Sequence, residues 1–336
     1  MKPPYAELYP SILLVVLTLV AFAVLWSVMD MVLLGASLAV VLAPLHHRIS
    51  HKVRPLASAV LITVAVAVIL VVSVAITVQL LTENVGVLSG MFSSISTWLG
   101  SPTTNPAAFG VPLPKTTLNH LLDQGDSLFL NYKQTFVSNL PLIVFKVFVF
   151  FFSLFVLLLK GEIIKNHIMA HLPRPIYGYV TRMSNLTVDT LYVVYVVQVA
   201  IAVLTFFISI PVFFFLGYGN IVFFSFLAAF CEMIPILGSS IAFLIIGAYS
   251  LSVGDIRGVL ILFVLGYIVV SCLPEIFIRP VLVGRRVKIH PVLMFIGIIG
   301  GLLTMGLAGF VLGPLIIVLL TTSYRMYTHE RKAASA

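Results

Sequence analysis

The chain has 336 residues, of which 61% are hydrophobic and 9% charged, with a formal net charge of +8. A soluble globular domain carries about 25% charged residues, so the composition excludes that class and indicates an integral membrane protein. Strand-sized alternation is absent, which makes the membrane segments helices rather than barrel strands.

The first third predicts three membrane segments over residues 1–82. Ser11–Met29 is longer than a signal-peptide core and lacks a clear cleavage site, so it reads as a retained span. Met31–Pro44 follows, then the basic residues Arg48, Lys52 and Arg54, then the uncharged run Leu56–Leu81. Residues 83–140 form an extracytoplasmic region. Its only lysines or arginines are Lys115 and Lys133, and Ser101–Pro114 is a loop rich in Pro, Ser, Thr and Gly. Glu83–Leu99 and Thr117–Asn139 are expected as helical extensions outside the membrane. Residues 141–190 hold a fourth span, Pro141–Leu159, from which Lys146 is expected to snorkel outward. The amphipathic stretch Lys160–Asp189 is expected to lie on the cytoplasmic surface.

Residues 191–324 form a core of four apolar elements: Leu191–Leu216, Asn220–Ser252, Gly258–Pro274 and Pro291–Ser323. Residues 325–336 are a cytoplasmic tail. Basic residues concentrate in segments that should face the cytoplasm. Counting crossings from a cytoplasmic N-terminus, Asn220–Ser252 must begin and end outside, and Pro291–Ser323 must begin and end inside. A straight helix of 33 residues would be roughly 50 Å long, against a hydrocarbon core of about 30 Å. Both elements are therefore expected to bend back. Pro235 and Gly238 mark the first bend; Gly300, Gly301, Gly306, Gly309, Gly313 and Pro314 mark the second. The predicted fold is an all-α polytopic membrane protein with about eight membrane segments, two of them broken, re-entrant hairpins entering from opposite faces.

Two acidic residues, Glu232 and Glu275, lie within or against apolar sequence on both sides. Charge there is costly and commonly marks a pathway or relay. Glu232, three residues before Pro235, could bind a cation, a proton or a polar solute, or could cap a helix end. Glu275 and Arg279 are four apart and share a helix face; beside Pro280 they suit either a structural ion pair or a gate. Gln198 is the polar outlier of its run, able to line a pathway or to bond a neighbouring helix. Gly301, Gly309 and Gly313 permit either exposed carbonyls or close helix packing.

Arg285, Arg286 and Lys288 read as orientation signals, and Tyr218 and Asn220 as interfacial residues. Cys231 and Cys272 read as small core residues. The pairs His47/His51 and His167/His171 lack a third ligand, so no metal or cofactor is expected. No zinc-binding H-E-x-x-H, no G-x-S-x-G elbow and no phosphate loop is present, which argues against an enzyme. Inside-facing loops account for the basic charge without nucleic acid.

The PILGS turn at 235–239, the E-x-x-x-R-P-x-L-x-G-R-R-x-x-x-x-P stretch from Glu275 to Pro291 and the glycine-rich tail through Gly313-Pro314 resemble the AI-2E family of prokaryotic transporters. The resemblance is strongest over Leu191–Tyr324. One departure is Ser239, where family members often have proline. The resemblance implies a multi-pass inner-membrane homo-oligomer, a pentamer being compatible; the Lys/Arg bias places both termini in the cytoplasm. It also implies export of a small polar solute such as autoinducer-2, or exchange of Na+ or Li+ for H+. On these grounds Glu232, Gln198, Pro235 and Gly238 are candidate binding residues, and Glu275, Arg279, Pro280, Gly301, Gly309 and Gly313 candidate gating residues. The leading expectation is alternating access by a secondary transporter. A passive channel or a membrane scaffold is the competing class.

Overall fold

The computed structural model describes residues 8–100, 138–234, 238–283 and 291–334. The regular elements among them are all helical: α1 Leu8–Ser50, α2 Pro55–Glu83, α3 Val85–Gly100, α4 Leu140–Ala170, α5 Arg174–Tyr192, a π-helical turn Val193–Val197, α6 Gln198–Leu216, α7 Ile221–Glu232, α8 Ser240–Ser252, α9 Ile256–Ile261, π-helical stretches Leu262–Cys272 and Pro274–Ile278, α10 Arg279–Val283 and α11 Pro291–Ala334. Six helices among the described residues are long and apolar enough to cross a membrane, and α7 and α8 are shorter apolar helices.

Several elements differ from expectation. The segments expected over Ser11–Met29 and Met31–Pro44 are one helix, with Pro44 inside it. The stretch expected as one amphipathic segment is divided between two helices. Its first part ends α4, and α5 runs through the π turn directly into α6. The element expected to stop at Pro274 continues through it, because i→i+5 bonding takes over: the Arg279 N–H bonds to the Pro274 carbonyl.

The chain divides into two compact units. The first contains residues 1–64, 141–184 and 296–336. In it α1 packs closely on α4 at Gly35, where a Cβ would lie 2.7 Å from the Phe150 carbonyl oxygen. The Ser153 hydroxyl donates to the Val32 carbonyl at 3.1 Å. Lys146 does not snorkel. Its Nζ meets Asp30 Oδ2 at 2.8 Å, and both side chains are mostly buried.

Within α11 the chain reverses at Gly306, whose backbone is non-helical at φ 58° and ψ −136°. The reversal is visible in its consequences. Gly301 and Gly309 would be about 12 Å apart along a straight helix. Instead a Cβ on either would collide with the other's carbonyl, and Gly313 would meet Gly297 in the same way. The two limbs thus pack backbone to backbone through four glycines, a spacing that only small residues allow. The glycines serve as a packing seam.

The second unit contains residues 65–140 and 185–295. Its core gathers Val212, Phe213 and Leu216 of α6, Phe223, Phe224 and Ala228 of α7, and Ala242, Phe243 and Ile246 of α8 around Leu262 and Val270. Phe213 stacks on Phe243, with ring centres 5.7 Å apart. Phe243 in turn lies over Gly266, where a Cβ would approach within 2.7 Å of the ring. The helix expected as an outer extension, α3, packs against α8 and buries Met91 in this core. Large apolar side chains such as Phe207, Phe214, Leu244 and Phe263 are left exposed, as suits a lipid-facing surface.

Candidate functional site

Glu232 ends α7 and is 1% exposed. Its position follows from the hairpin it terminates. The turn back into α8 passes through Gly238, whose φ of 49° is left-handed and whose absent Cβ would lie 2.8 Å from Glu232 Oε2. Any other residue there would be both strained and crowded. The next residue, Ser239, donates its backbone N–H to Glu232 Oε2 at 2.7 Å. A proline at this position could not make that bond. The Ser239 hydroxyl also pairs with that of Ser271 in the π-helical stretch at 2.9 Å. The carboxylate is thereby locked to the turn through one oxygen. Oε1 is buried without a hydrogen-bond partner.

Two further elements complete the cluster. Gln198, the first residue of α6, is buried and donates from Nε2 to the Glu232 backbone carbonyl, an orphan acceptor at a helix end. Its Oε1 accepts from Arg279 Nη1 at 3.3 Å. Arg279 also donates from Nη2 to Glu275 Oε1 at 2.8 Å, while its Nε pairs with Oε2 of the same carboxylate. Of these two, only the Nη2 contact has hydrogen-bond geometry; the Nε contact is one of charge, leaving that donor buried without a hydrogen bond. Arg279 Nη2 stands 4.0 Å from Glu232 Oε1. One cation thus faces two carboxylates, and the cluster carries a net charge of −1 when all three are ionised. Low local dielectric makes that imbalance costly unless a cation, a proton or hydrogen-bond donors meet it.

The residues expected to bind (Glu232, Gln198 and Gly238) and the residues expected to gate (Glu275 and Arg279) therefore form one site. Pro235 lies outside the described residues, as do Arg285, Arg286 and Lys288. Pro280 follows Arg279 in α10. Gly301, Gly309 and Gly313 belong to the first unit, in the seam of α11. The histidine pairs lie ring beside ring, His47/His51 edge to face with centres 4.8 Å apart and His167/His171 tilted at 4.5 Å. No group of three metal-ligating side chains occurs among the described residues.

A second polar cluster, which the sequence did not suggest, closes the opposite end of α6. The Tyr218 hydroxyl donates to Asp255 Oδ2 at 2.6 Å and lies 2.9 Å from Ser250 Oγ. Asp255 also caps α9, accepting from the Gly258 N–H at 2.9 Å. Burial, and then the bond to Asp255, push the Tyr218 hydroxyl up to about 12. The same bond, followed by the Gly258 N–H, holds Asp255 below its ordinary range. The cap was readable from Asp255 preceding a new apolar run; its tyrosine partner was not. The other omission is Asp30, which ends one apolar run and begins another. An opposite charge, Lys146, alone in a second apolar run was the available signal.

Comparison with known proteins adds identity to this geometry. The model of the AI-2E family transporter matches residues 12–329. A protein of Methanothermobacter thermautotrophicus named "Putative transport protein" is 26% identical over 304 residues, 90% of this chain and 88% of that one. A similarly named protein of Pyrococcus horikoshii is 24% identical over 310 residues, 90% of this chain and 84% of its own length. One of Methanocaldococcus jannaschii is 26% identical over 58% of this chain and 59% of its own length.

Proposed function

The chain belongs to the AI-2E transporter family, and from that premise we propose that it is a secondary transporter that exports a small polar solute by alternating access, with the Glu232 cluster as its coupling site. The observation that carries this reading is the buried carboxylate of Glu232. One oxygen is fixed by the Ser239 N–H; the other is unpaired and 4.0 Å from Arg279. A group so placed can change proton or partner without unfolding the hairpin, and the guanidinium can swing between two carboxylates. Broken helices meeting around such a group are the usual setting of a transport site.

The charge count supports a second reading, exchange of Na+ or Li+ for H+, since the site is one positive charge short. Proteoliposomes separate the two. Dissipation of an imposed pH gradient on adding Na+ or Li+ indicates the antiporter. Solute accumulation without that response indicates the exporter. Wild-type rates in both assays for Glu232→Gln would overturn the coupling role. Flux that never accumulates solute would indicate a passive channel.

In the bilayer we place the basic segment Arg48–Arg54 on the cytoplasmic face. Because α1 is one helix where two segments were expected, the crossing count changes by one. With that segment cytoplasmic, a single crossing by α1 would put Leu8 on the outer face, in place of the cytoplasmic N-terminus expected from two segments, and labelling of an introduced cysteine near Leu8 from either side tests it.

A further inference from the structure

Most hydroxyls on the helices of this protein bond back to a carbonyl three or four residues earlier. Thr63, Thr77, Thr190, Ser209, Ser250, Thr304 and Thr321 all do so. Others, such as Ser58 and Ser239, reach a partner on another segment. Thr205 of α6 and Ser225 of α7 are 0% exposed, and each Oγ lacks any partner among the described residues. Leaving a buried hydroxyl unpaired costs about 1–3 kcal/mol, so two unpartnered hydroxyls in one seam point to an occupant.

Their positions are related. On α6, Gln198, Ala202, Thr205 and Ser209 recur at helical spacing on the buried face; on α7, Ser225, Ala228 and Glu232 do the same. The helices are antiparallel, joined by the turn at 217–220, and Gln198 touches Glu232. That contact sets the register. Ala202 falls level with Ala228, and Thr205 level with Ser225, seven residues or about 10 Å from the Glu232 level. Alanines, the smallest side chains that helices favour, separate the two hydroxyls from the unpaired Glu232 Oε1. Beyond Thr205 the stacked rings of Phe213 and Phe243 close the seam, with Phe224 at its edge.

We propose that Thr205 and Ser225 hold ordered water that continues the Glu232 site two helical turns into the α6–α7 seam and supplies the missing donor to Oε1. Hydroxyls act as donor and acceptor at once, which suits water; a dehydrated cation would need more oxygens than two hydroxyls offer. The inference rests on Glu232 being the coupling group only for its functional consequence: a solvated Oε1 can stay ionised or take up a proton within the apolar layer.

The test is thermal melting of the purified full chain carrying Thr205→Val, Ser225→Ala or both, with Thr205→Ser as the hydroxyl-retaining control. A hydrated seam predicts that each hydroxyl deletion lowers the melting temperature by about 2 °C or more, and that Thr205→Ser falls less than Thr205→Val. A dry seam predicts the opposite, since removing an unpaired hydroxyl relieves its penalty; an unchanged or raised value overturns the proposal. Should a variant not fold, radiolytic hydroxyl-radical labelling of the wild-type chain decides. Labelling of Phe224 beside Ser225 is expected, and protection equal to that of Phe213 overturns the proposal. Transport by Glu232→Gln is measured separately, so failure of the water site and failure of the coupling role are told apart.

Discussion

Arg279 stands 4.0 Å from the buried carboxylate of Glu232 while making its close two-point contact with Glu275. Glu275 and Arg279 are neighbours on one helix; Glu232 is brought to them by the α7–α8 hairpin. The guanidinium is therefore committed to the local partner and within reach of the distant one. Closing a gap of that size requires a side-chain movement only.

This arrangement predicts a stability signature at Arg279. Removing one member of a buried pair costs about 3–5 kcal/mol, because the remaining charge is left uncompensated. Arg279→Ala should lower the melting temperature markedly. Adding Glu232→Gln to that variant should recover much of the loss, since it deletes the stranded charge. Arg279→Lys should be intermediate, as lysine keeps the charge but lacks the fork. If the double variant melts no higher than Arg279→Ala, the two residues are not coupled.

The α11 seam predicts a contrast between neighbours. A Cβ at Gly301 or Gly309 would strike the backbone of the opposite limb, whereas one at Gly300 meets nothing within 4 Å. Gly301→Ala and Gly309→Ala should each cost about 1–3 kcal/mol through overpacking. Gly300→Ala should be neutral or stabilising by up to about 1 kcal/mol, because alanine is the better helix former. Equal melting temperatures for the Gly300 and Gly301 variants would contradict the packed reversal at Gly306.

Much of this was legible locally, and what was not has a common cause. The membrane class, the apolar runs and the breaks at Gly238 and Gly306 follow from residues close in sequence. Gln198, Glu232, Glu275 and Arg279 each stand out as polar groups in apolar surroundings. Their assembly into one site does not, because it depends on three segments meeting, and the sequence alone separated binding from gating residues. Asp30 falls between the two segments expected over Ser11–Met29 and Met31–Pro44. The helix continues through it because Lys146, over a hundred positions away, neutralises it. Gly297 escaped notice for the same reason: its partner Gly313 is evident only once the chain has turned.

The Asp30–Lys146 pair predicts compensation. Both side chains are largely removed from solvent, and a hydrogen bond between charged groups contributes about 1.5–3 kcal/mol. Asp30→Asn and Lys146→Met should each destabilise, and the two together should be less harmful than the sum. The exchanged pair Asp30→Lys with Lys146→Asp should retain most of the wild-type melting temperature. Strict additivity of the single effects would show that the 2.8 Å contact contributes nothing.

The Tyr218–Asp255 bond predicts a pH window. Asp255 has a lowered pKa when folded, so its contribution is complete above the unfolded value near 4 and is lost as pH falls through the folded value. Tyr218 has a raised pKa, about 12. Its contribution is complete below the unfolded value near 10 and is lost as pH rises toward 12. Between about pH 5 and 9 both groups therefore favour the bonded form, and Tyr218→Phe should lower the melting temperature by a constant amount, corresponding to about 1–2 kcal/mol. The difference between wild type and variant should shrink in acid as Asp255 protonates and again in alkali as the phenol ionises. Asp255→Asn should remove the acid limb while keeping part of the α9 cap. A difference that persists unchanged at both extremes would mean that the hydroxyl–carboxylate bond does not hold this end of α6.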